Sequence, residues 1–333
     1  MVELIPVVDL LAEKKGRYKE AHLILFEYCN LRCSFCHQDH ESKVGLDADL
    51  IMGKVLTLIE NTDPNDAYVI NMTGGELFLD EIPDWMFGYY LAAGQVLLEH
   101  FKDVKLVWGT NLIYENTARV ERLVSMLRPY GHVCLATSYD PAGRFNESQR
   151  ALFFKNLDRL GHLVETVNVV ITKQNIQTFL DGKEGTEFAY MCQKHDVYFD
   201  HYIPSNLYEY HQPDEDLISQ LYILLNDRYP DSYPIKAWKA NKFNETTCRS
   251  TKIINKDGVV TTCWSEAGKD SILDEHEGLL AKAQAEQDFI DKYDCFSCDY
   301  YSRCGMRCFL HHSFIQDSNS VCQIKLMYDK ILT

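Results

Sequence analysis

No stretch of the 333-residue chain approaches the roughly 18–20 consecutive apolar residues that a bilayer requires, so no membrane helix is expected. The opening, Met1-Val2-Glu3-Leu4, lacks a basic segment and a small-residue cleavage site. A secretory signal is therefore not expected, and the chain reads as cytoplasmic. Runs of positive charge are also missing: 33 Lys and Arg stand against 49 Asp and Glu, for a net charge of −16. A protein that grips nucleic acid through phosphates usually carries a basic stripe, so a nucleic-acid partner is not expected, although a modified nucleotide stays open. Neither an internal repeat nor a low-complexity tract is present. With 46% hydrophobic and 25% charged residues, the composition is that of an ordinary folded chain.

What is present in unusual number is cysteine, at twelve residues. Six disulfides would need an oxidising compartment, which the missing signal argues against, and these cysteines fall in tight clusters. Close thiols in a reducing compartment point to metal.

Between residues 22 and 202 short apolar runs alternate with longer amphipathic ones. The strand-like runs are His22–Phe26, Ala67–Met72, Val104–Trp108, His132–Thr137, Leu163–Ile171 and Val197–Tyr202. Helical patterns cover Asp47–Glu60, Pro83–His100, Thr117–Leu127, Glu147–Leu160 and Asn175–Lys194, with Asp47 and Asn175 at N-cap positions. Six alternations predict parallel βαβ units with right-handed crossovers. Periodicity alone fits an open partial barrel or a doubly wound sheet equally well. A helix over Asp214–Leu225 and a Tyr- and Pro-containing linker, Tyr229–Trp238, follow. Thr251–Ile254 and Val259–Thr262 then read as a hairpin bent at Asp257-Gly258, and a helix around Asp274–Lys292 leads into a cysteine-rich loop.

Directly after the first strand comes Cys29-x3-Cys33-x2-Cys36. Three such cysteines can hold three corners of a cubane cluster and leave the fourth iron open for a cofactor or substrate. The alternative is zinc, with His37 or His40 as fourth ligand. The spacing, with the aromatic Phe35 before the third cysteine, resembles the radical S-adenosylmethionine superfamily. That resemblance implies a [4Fe–4S] cluster on Cys29, Cys33 and Cys36 that binds S-adenosylmethionine and cleaves it to a 5′-deoxyadenosyl radical, with Phe35 near the adenine. It extends to Thr73-Gly74-Gly75-Glu76, where backbone and Glu76 would receive the methionine ammonium, with glycine allowing close approach to the ligand. Leu77 replaces the proline frequent after that glutamate. Asn111, in Thr110-Asn111, and Ser138, in Thr137-Ser138-Tyr139-Asp140, occupy two further strand-end positions, and Ser138 would contact the ribose. Asn168 and Lys173 fit the fifth strand end, and fit a surface turn and strand cap equally well. The implied fold is α/β, a partial (β/α)6 TIM-like barrel over residues 21–235 after an N-terminal extension of 1–20.

Cys248, then Gly258 after nine residues, Cys263, and the run Cys295-x2-Cys298-x5-Cys304-x3-Cys308, with Cys322 thirteen residues on, resemble the C-terminal extension of the SPASM subgroup of that superfamily. This implies a small cysteine-rich domain over 236–333 (hairpin, helix and cluster loops) and three [4Fe–4S] clusters in all. Cys295, Cys298, Cys304 and Cys322 would enclose one auxiliary cluster. Cys248, Cys263 and Cys308 would hold the other, one ligand short, because the position some relatives fill with cysteine is Lys242. A pair of structural zinc ribbons is the alternative. Cys134 and Cys192 read as small buried hydrophobes.

The subgroup implies a radical oxidoreductase that abstracts a substrate hydrogen and oxidises or cross-links a peptide or protein side chain, with the auxiliary clusters accepting an electron. A flavodoxin- or ferredoxin-type reductant would supply electrons. Radical chemistry on a small molecule or modified nucleoside is the second reading. Sulfatase maturation is not expected: Trp264 follows Cys263 where those members carry an aspartate base, although Glu266 lies two residues on. The first strand starts too early for a fused peptide-recognition domain, so a peptide would need a separate recognition protein or would dock on the barrel. No catalytic base is assigned to Tyr139, Tyr198, Tyr202, Tyr208 or Tyr210.

Overall fold

The computed structural model of the chain describes residues 18–36, 38–201, 211–233, 235–240, 251–262, 264, 280, 284, 287–300 and 322–332. The elements run β1 (Lys19–Ile24), α1 (Ala48–Glu60), β2 (Ala67–Thr73), α2 (Asp84–His100), β3 (Asp103–Thr110), α3 (Thr117–Leu127), β4 (His132–Ser138), α4 (Glu147–Leu160), β5 (Val164–Ile171), α5 (Lys173–Leu180), α6 (Thr186–Lys194) and β6 (Asp196–His201). After these come α7 (Glu215–Arg228), α8 (Ile235–Lys239), β7 (Lys252–Ile254), β8 (Val260–Thr261) and α9 (Gln323–Leu332). None of the described helices is long and apolar enough to cross a membrane.

The chain divides into two compact units: the described residues of 17–168 and 250–272 in one, and those of 169–249 and 273–333 in the other. In the first unit the strand order is β5-β4-β3-β2-β1-β7-β8. β1 to β5 are parallel neighbours in chain order, and β7 joins β1 in parallel before turning back antiparallel into β8. A doubly wound sheet reverses its order at a switch point. Here the order never reverses from β1 to β5, which decides between the two architectures in favour of the singly wound, barrel-type one. Right-handed crossovers that always step the same way put every intervening helix on one face.

The burial pattern follows from that winding. Side chains alternate across the sheet, and the rows Ala21-Ile70-Leu106-Val133 and Leu23-Met72-Trp108-Leu135 form the core under the helices. Each fully buried large apolar side chain contributes about 1.5–3 kcal/mol relative to exposure. The opposite face carries the rows Glu20-Val69-Lys105-His132 and His22-Asn71-Val107-Cys134, largely polar and mostly half-buried or exposed.

Three local expectations need correction. Asp47 caps α1 as expected, accepting from the Asp49 and Leu50 amides. Asn175, however, lies inside α5, and its amide donates to Thr172 Oγ1, which is the true cap. The single helix expected over 175–194 is two, because Gly182 and Gly185 sit at φ of +68° and +86°, a left-handed backbone that ends one helix before the next begins. In the second unit, β6 neighbours β5, and Phe179, Phe188 and Phe199 stack edge to face. The passage expected as linker contains α8, whose Trp238 ring meets Tyr222 and Tyr328, each 5.0 Å away. Of the helix expected around 274–292, residues 280, 284 and 287–293 are described, and all are helical.

Candidate active site

The chain leaves β1 through Leu25, whose amide continues the ladder to Thr73 O at 2.9 Å. Gly75 N then donates to Phe26 O at 2.8 Å and Glu76 N to Tyr28 O at 2.9 Å. A Cβ on Gly75 would lie 2.0 Å from Tyr28 O, and one on Gly74 would lie 2.5 Å from Phe26 O. The glycines are thus required by the chain's own backbone, where closeness to a ligand was the expected reason. They clamp the segment that leads into Cys29.

Cys29 and Cys33 are buried, Cys36 is half-buried, and none of the three is in a disulfide. A turn brings Cys36 N to Cys33 O at 3.1 Å. Burial pushes the Cys29 thiol up to about 12 and the Cys36 thiol up to about 11, and raises Cys33 as well. Cys33 and Cys36 raise Cys29 further, so the three sulfurs share one electrostatic neighbourhood. Without a metal, their desolvation makes all three thiols costly to ionise. As ligands they would be deprotonated by the metal, and three soft sulfurs are the donor set of an iron–sulfur or zinc centre.

Asn111 joins this trio to Glu76. Its side-chain amide donates to Cys29 Sγ at 3.6 Å and to Asn30 Oδ1 at 2.8 Å, while its main-chain N–H donates to Glu76. Glu76 is fully buried and also accepts from Phe78 N at 3.0 Å and Thr110 Oγ1 at 3.0 Å. Three donors leave room for a fourth on a carboxylate, such as an amino group. Desolvation pushes Glu76 up to about 7 despite those hydrogen bonds.

The sign of that shift has a consequence. Between the unfolded carboxyl's 4.5 and about 7, the folded protein holds a proton that the unfolded chain has lost, so stability falls as pH rises through this window. Below it the cost is absent, and above it the cost is complete. We expect Glu76→Gln to gain ~3 kcal/mol relative to the parent between pH 4.5 and pH 7 in cluster-free protein. Urea unfolding of both proteins at the two pH values measures this. Parallel pH dependence would contradict it.

Sequence reasoning gave Asp140 no role and overlooked Arg144. Arg144 is half-buried, bonds Asp140 through Nε, and lies 5.5 Å over the Phe35 ring. It also lowers the Cys33 thiol electrostatically. The only sequence signal was a basic residue four positions after an acidic one. Ser138 stands half-buried at the C-terminal end of β4, in register with Asn168. Lys173 is exposed at the start of α5. Cys29, Cys33, Cys36, Phe35, Gly74, Gly75, Glu76 and Asn111 therefore converge beyond the C-terminal ends of the parallel strands, where such folds place ligands.

In the other unit Cys295, Cys298 and Cys322 come together. Cys298 N donates to Cys295 O at 3.0 Å, and the Cys295 thiol, pushed up to about 12 first by burial, is raised further by Cys322 and Cys298. Cys248, Cys263, Cys304 and Cys308 lie outside the described residues, as do His37, Tyr202, Tyr208, Tyr210, Lys242 and Glu266. The Trp264 ring packs on Ile24 and Ile253 and meets the His22 ring edge-on at 4.7 Å.

No family model matches the sequence, and no curated protein does. Solved structures do match. That of anSMEcpe with bound AdoMet and Cp18Cys peptide has a TM-score of 0.61 at 12% identity, over 94% of this chain and 95% of that one. Streptococcus suis SuiB bound to S-adenosylmethionine has 0.52 at 16% identity, over 95% and 78%. SuiB bound to precursor peptide SuiA has 0.54 at 15% identity, over 94% and 76%. The likeness establishes the fold as the α/β, TIM-like architecture that the superfamily resemblance implied.

Proposed function

We propose that the chain is a radical S-adenosylmethionine enzyme of the SPASM subgroup that oxidises or cross-links a peptide or protein side chain. The observation that carries the reading is the convergence of three free cysteine thiols, two of them buried, with Glu76, Asn111, Phe35 and Arg144 at one end of the parallel strands. Cys29, Cys33 and Cys36 would hold the catalytic [4Fe–4S] cluster. When bound, the cluster and S-adenosylmethionine supply a 5′-deoxyadenosyl radical able to abstract hydrogen from an unactivated carbon.

The chain's own residues supply orientation and charge. Glu76 offers a buried carboxylate with one acceptor position left, suited to the methionine ammonium. Asn111 ties that carboxylate to the cluster loop, so a shift at one is felt at the other. Phe35 presents an apolar ring suited to adenine, and Ser138 a hydroxyl suited to the ribose. Arg144, held by Asp140, sets a fixed positive charge beside Cys33. Such a charge favours the more negative, reduced state of a cluster. Arg144→Gln is expected to lower its midpoint potential by on the order of 100 mV, read by redox titration under electron paramagnetic resonance. An unchanged potential would remove that role.

Cys295, Cys298, Cys304 and Cys322 would hold one auxiliary cluster, and Cys248, Cys263 and Cys308 the other. Together they would give the departing substrate electron a path. A peptide substrate is supported by the structural neighbours, which were solved with the Cp18Cys peptide and the precursor peptide SuiA. An indole packed among Ile24, Ile253 and His22 offers no base, which argues against sulfatase maturation. The test is anaerobic incubation with reductant, S-adenosylmethionine and peptides encoded beside the gene. The expected products are 5′-deoxyadenosine and a peptide lighter by two hydrogens. 5′-Deoxyadenosine with no change in any peptide would turn the substrate reading toward small molecules.

A further inference from the structure

A second group of metal-ligating side chains lies far along the same strands from the site above, at their N-terminal ends. It sits on the helix-free face of the sheet. His132 and Cys134 are two residues apart on β4 and so share that face. The pairing of β4 with β5 is irregular there: Leu135 opposes Val164, but Ala136 opposes Thr166, so Glu165 is the extra residue of a bulge. A bulge re-aims a side chain that strict alternation would send to the other face. Here the Glu165 carboxylate reaches His132 Nε2 at 2.5 Å, and one ligand atom from each of His132, Cys134 and Glu165 lies within 4.8 Å of the other two.

We infer that His132, Cys134 and Glu165 form a mononuclear transition-metal site for Zn2+, separate from the cluster cysteines. The donor set is one imidazole nitrogen, one thiolate and one carboxylate oxygen, the mix that zinc accepts, with a fourth position for water. The spread of the three atoms is compatible with a common tetrahedral centre after small rotamer changes. His132 is 54% exposed along its side chain, so an ion has an entry path, whereas Cys134 is buried and fixes the inner ligand. Bulges cluster next to functional sites and at sheet edges, and this one brings the carboxylate to a histidine and a cysteine at once.

Lys105, in register with His132 on β3, is the competing cation, since its ammonium bonds the other oxygen of Glu165. Zn2+ arriving at Glu165 would displace it toward solvent. Lys105 and His132 thus hold the two oxygens of the Glu165 carboxylate between them. The Cys134 proton would leave on binding, as zinc deprotonates a coordinating thiol outright. By position the bound ion would clamp β4 to β5 across the bulge, at the end of the strands where stability rather than catalysis is usually served.

The test uses full-length protein with its iron–sulfur clusters loaded, treated with Zn2+ and freed of loose metal. Zinc is counted in the parent, His132→Ala, Cys134→Ser and Lys105→Met proteins. One extra zinc per chain in the parent, missing from His132→Ala and Cys134→Ser, is expected. X-ray absorption of that zinc should show a single sulfur at about 2.3 Å with nitrogen and oxygen at about 2.0 Å. Lys105→Met should bind it more tightly by competition with a chelator, several-fold or more. His132 is exposed, so its variant does not threaten the fold. Equal zinc in the parent and His132→Ala, or a difference zinc without a sulfur ligand, would overturn the site.

Discussion

A variant with Cys29, Cys33 and Cys36 all replaced by alanine should lose about four irons per chain, with their sulfide, and all cleavage of S-adenosylmethionine. The expected loss is complete, because among the described residues no other cysteine lies on that loop. Among the described residues, the remaining cysteines are Cys134 on β4, Cys192 on α6, and Cys295, Cys298 and Cys322 in the other unit. Iron, sulfide and 5′-deoxyadenosine are measured side by side in parent and variant. Retained cleavage in the variant would place the chemistry elsewhere. A circular dichroism spectrum like the parent's would show that the sheet tolerates the change. This is expected, since the core rows under the helices contain none of these residues.

Gly75→Ala should have the next largest effect. Its Cβ would meet Tyr28 O at 2.0 Å, the Tyr28 carbonyl carbon at 2.4 Å and Glu27 O at 2.5 Å, all backbone atoms with no flexible end to yield. The two strands' exits must part, and the hydrogen bonds from Gly75 N to Phe26 O and from Glu76 N to Tyr28 O go with them. Overpacking of this kind costs about 3 kcal/mol. The cost falls on the segment that presents Cys29, so cluster loading should drop by more than global stability. Urea unfolding and iron content of the same preparation separate the two. A stable variant that loads iron normally would show that the clamp is dispensable.

Much of the fold was legible. In β2, Tyr68, Ile70 and Met72 alternate with half-buried residues, so period two is written into the chain. Asp47 announces α1 with a side chain that can accept from two helical amides. The winding was not legible, because alternation of strand and helix says nothing about which strands become neighbours. The break in the helix expected over 175–194 was marked by Gly182 and Gly185, yet an amphipathic pattern continuing on both sides concealed it.

The candidate site divides in the same way. Cysteine spacing and Gly-Gly-Glu are local in sequence, so Cys29, Cys33, Cys36 and Glu76 could be named. Arg144 could not, because its position depends on the loop after β4 returning over Phe35. Leu112 at φ +59° breaks local preference too, and no sequence signal marks it. Asn156 on α4 holds the loop after β3 by donating to the Leu112 and Tyr114 carbonyls. Glu165 was hidden for a related reason, since a bulge breaks the alternation by which its facing would have been read.

Iron, sulfide and zinc counted per chain after anaerobic purification and reconstitution test the metal chemistry most directly. About twelve irons with matching sulfide are expected, for three cubane clusters. Zinc in their place, with sulfide absent, would contradict the radical mechanism and leave the clustered cysteines as structural ligands.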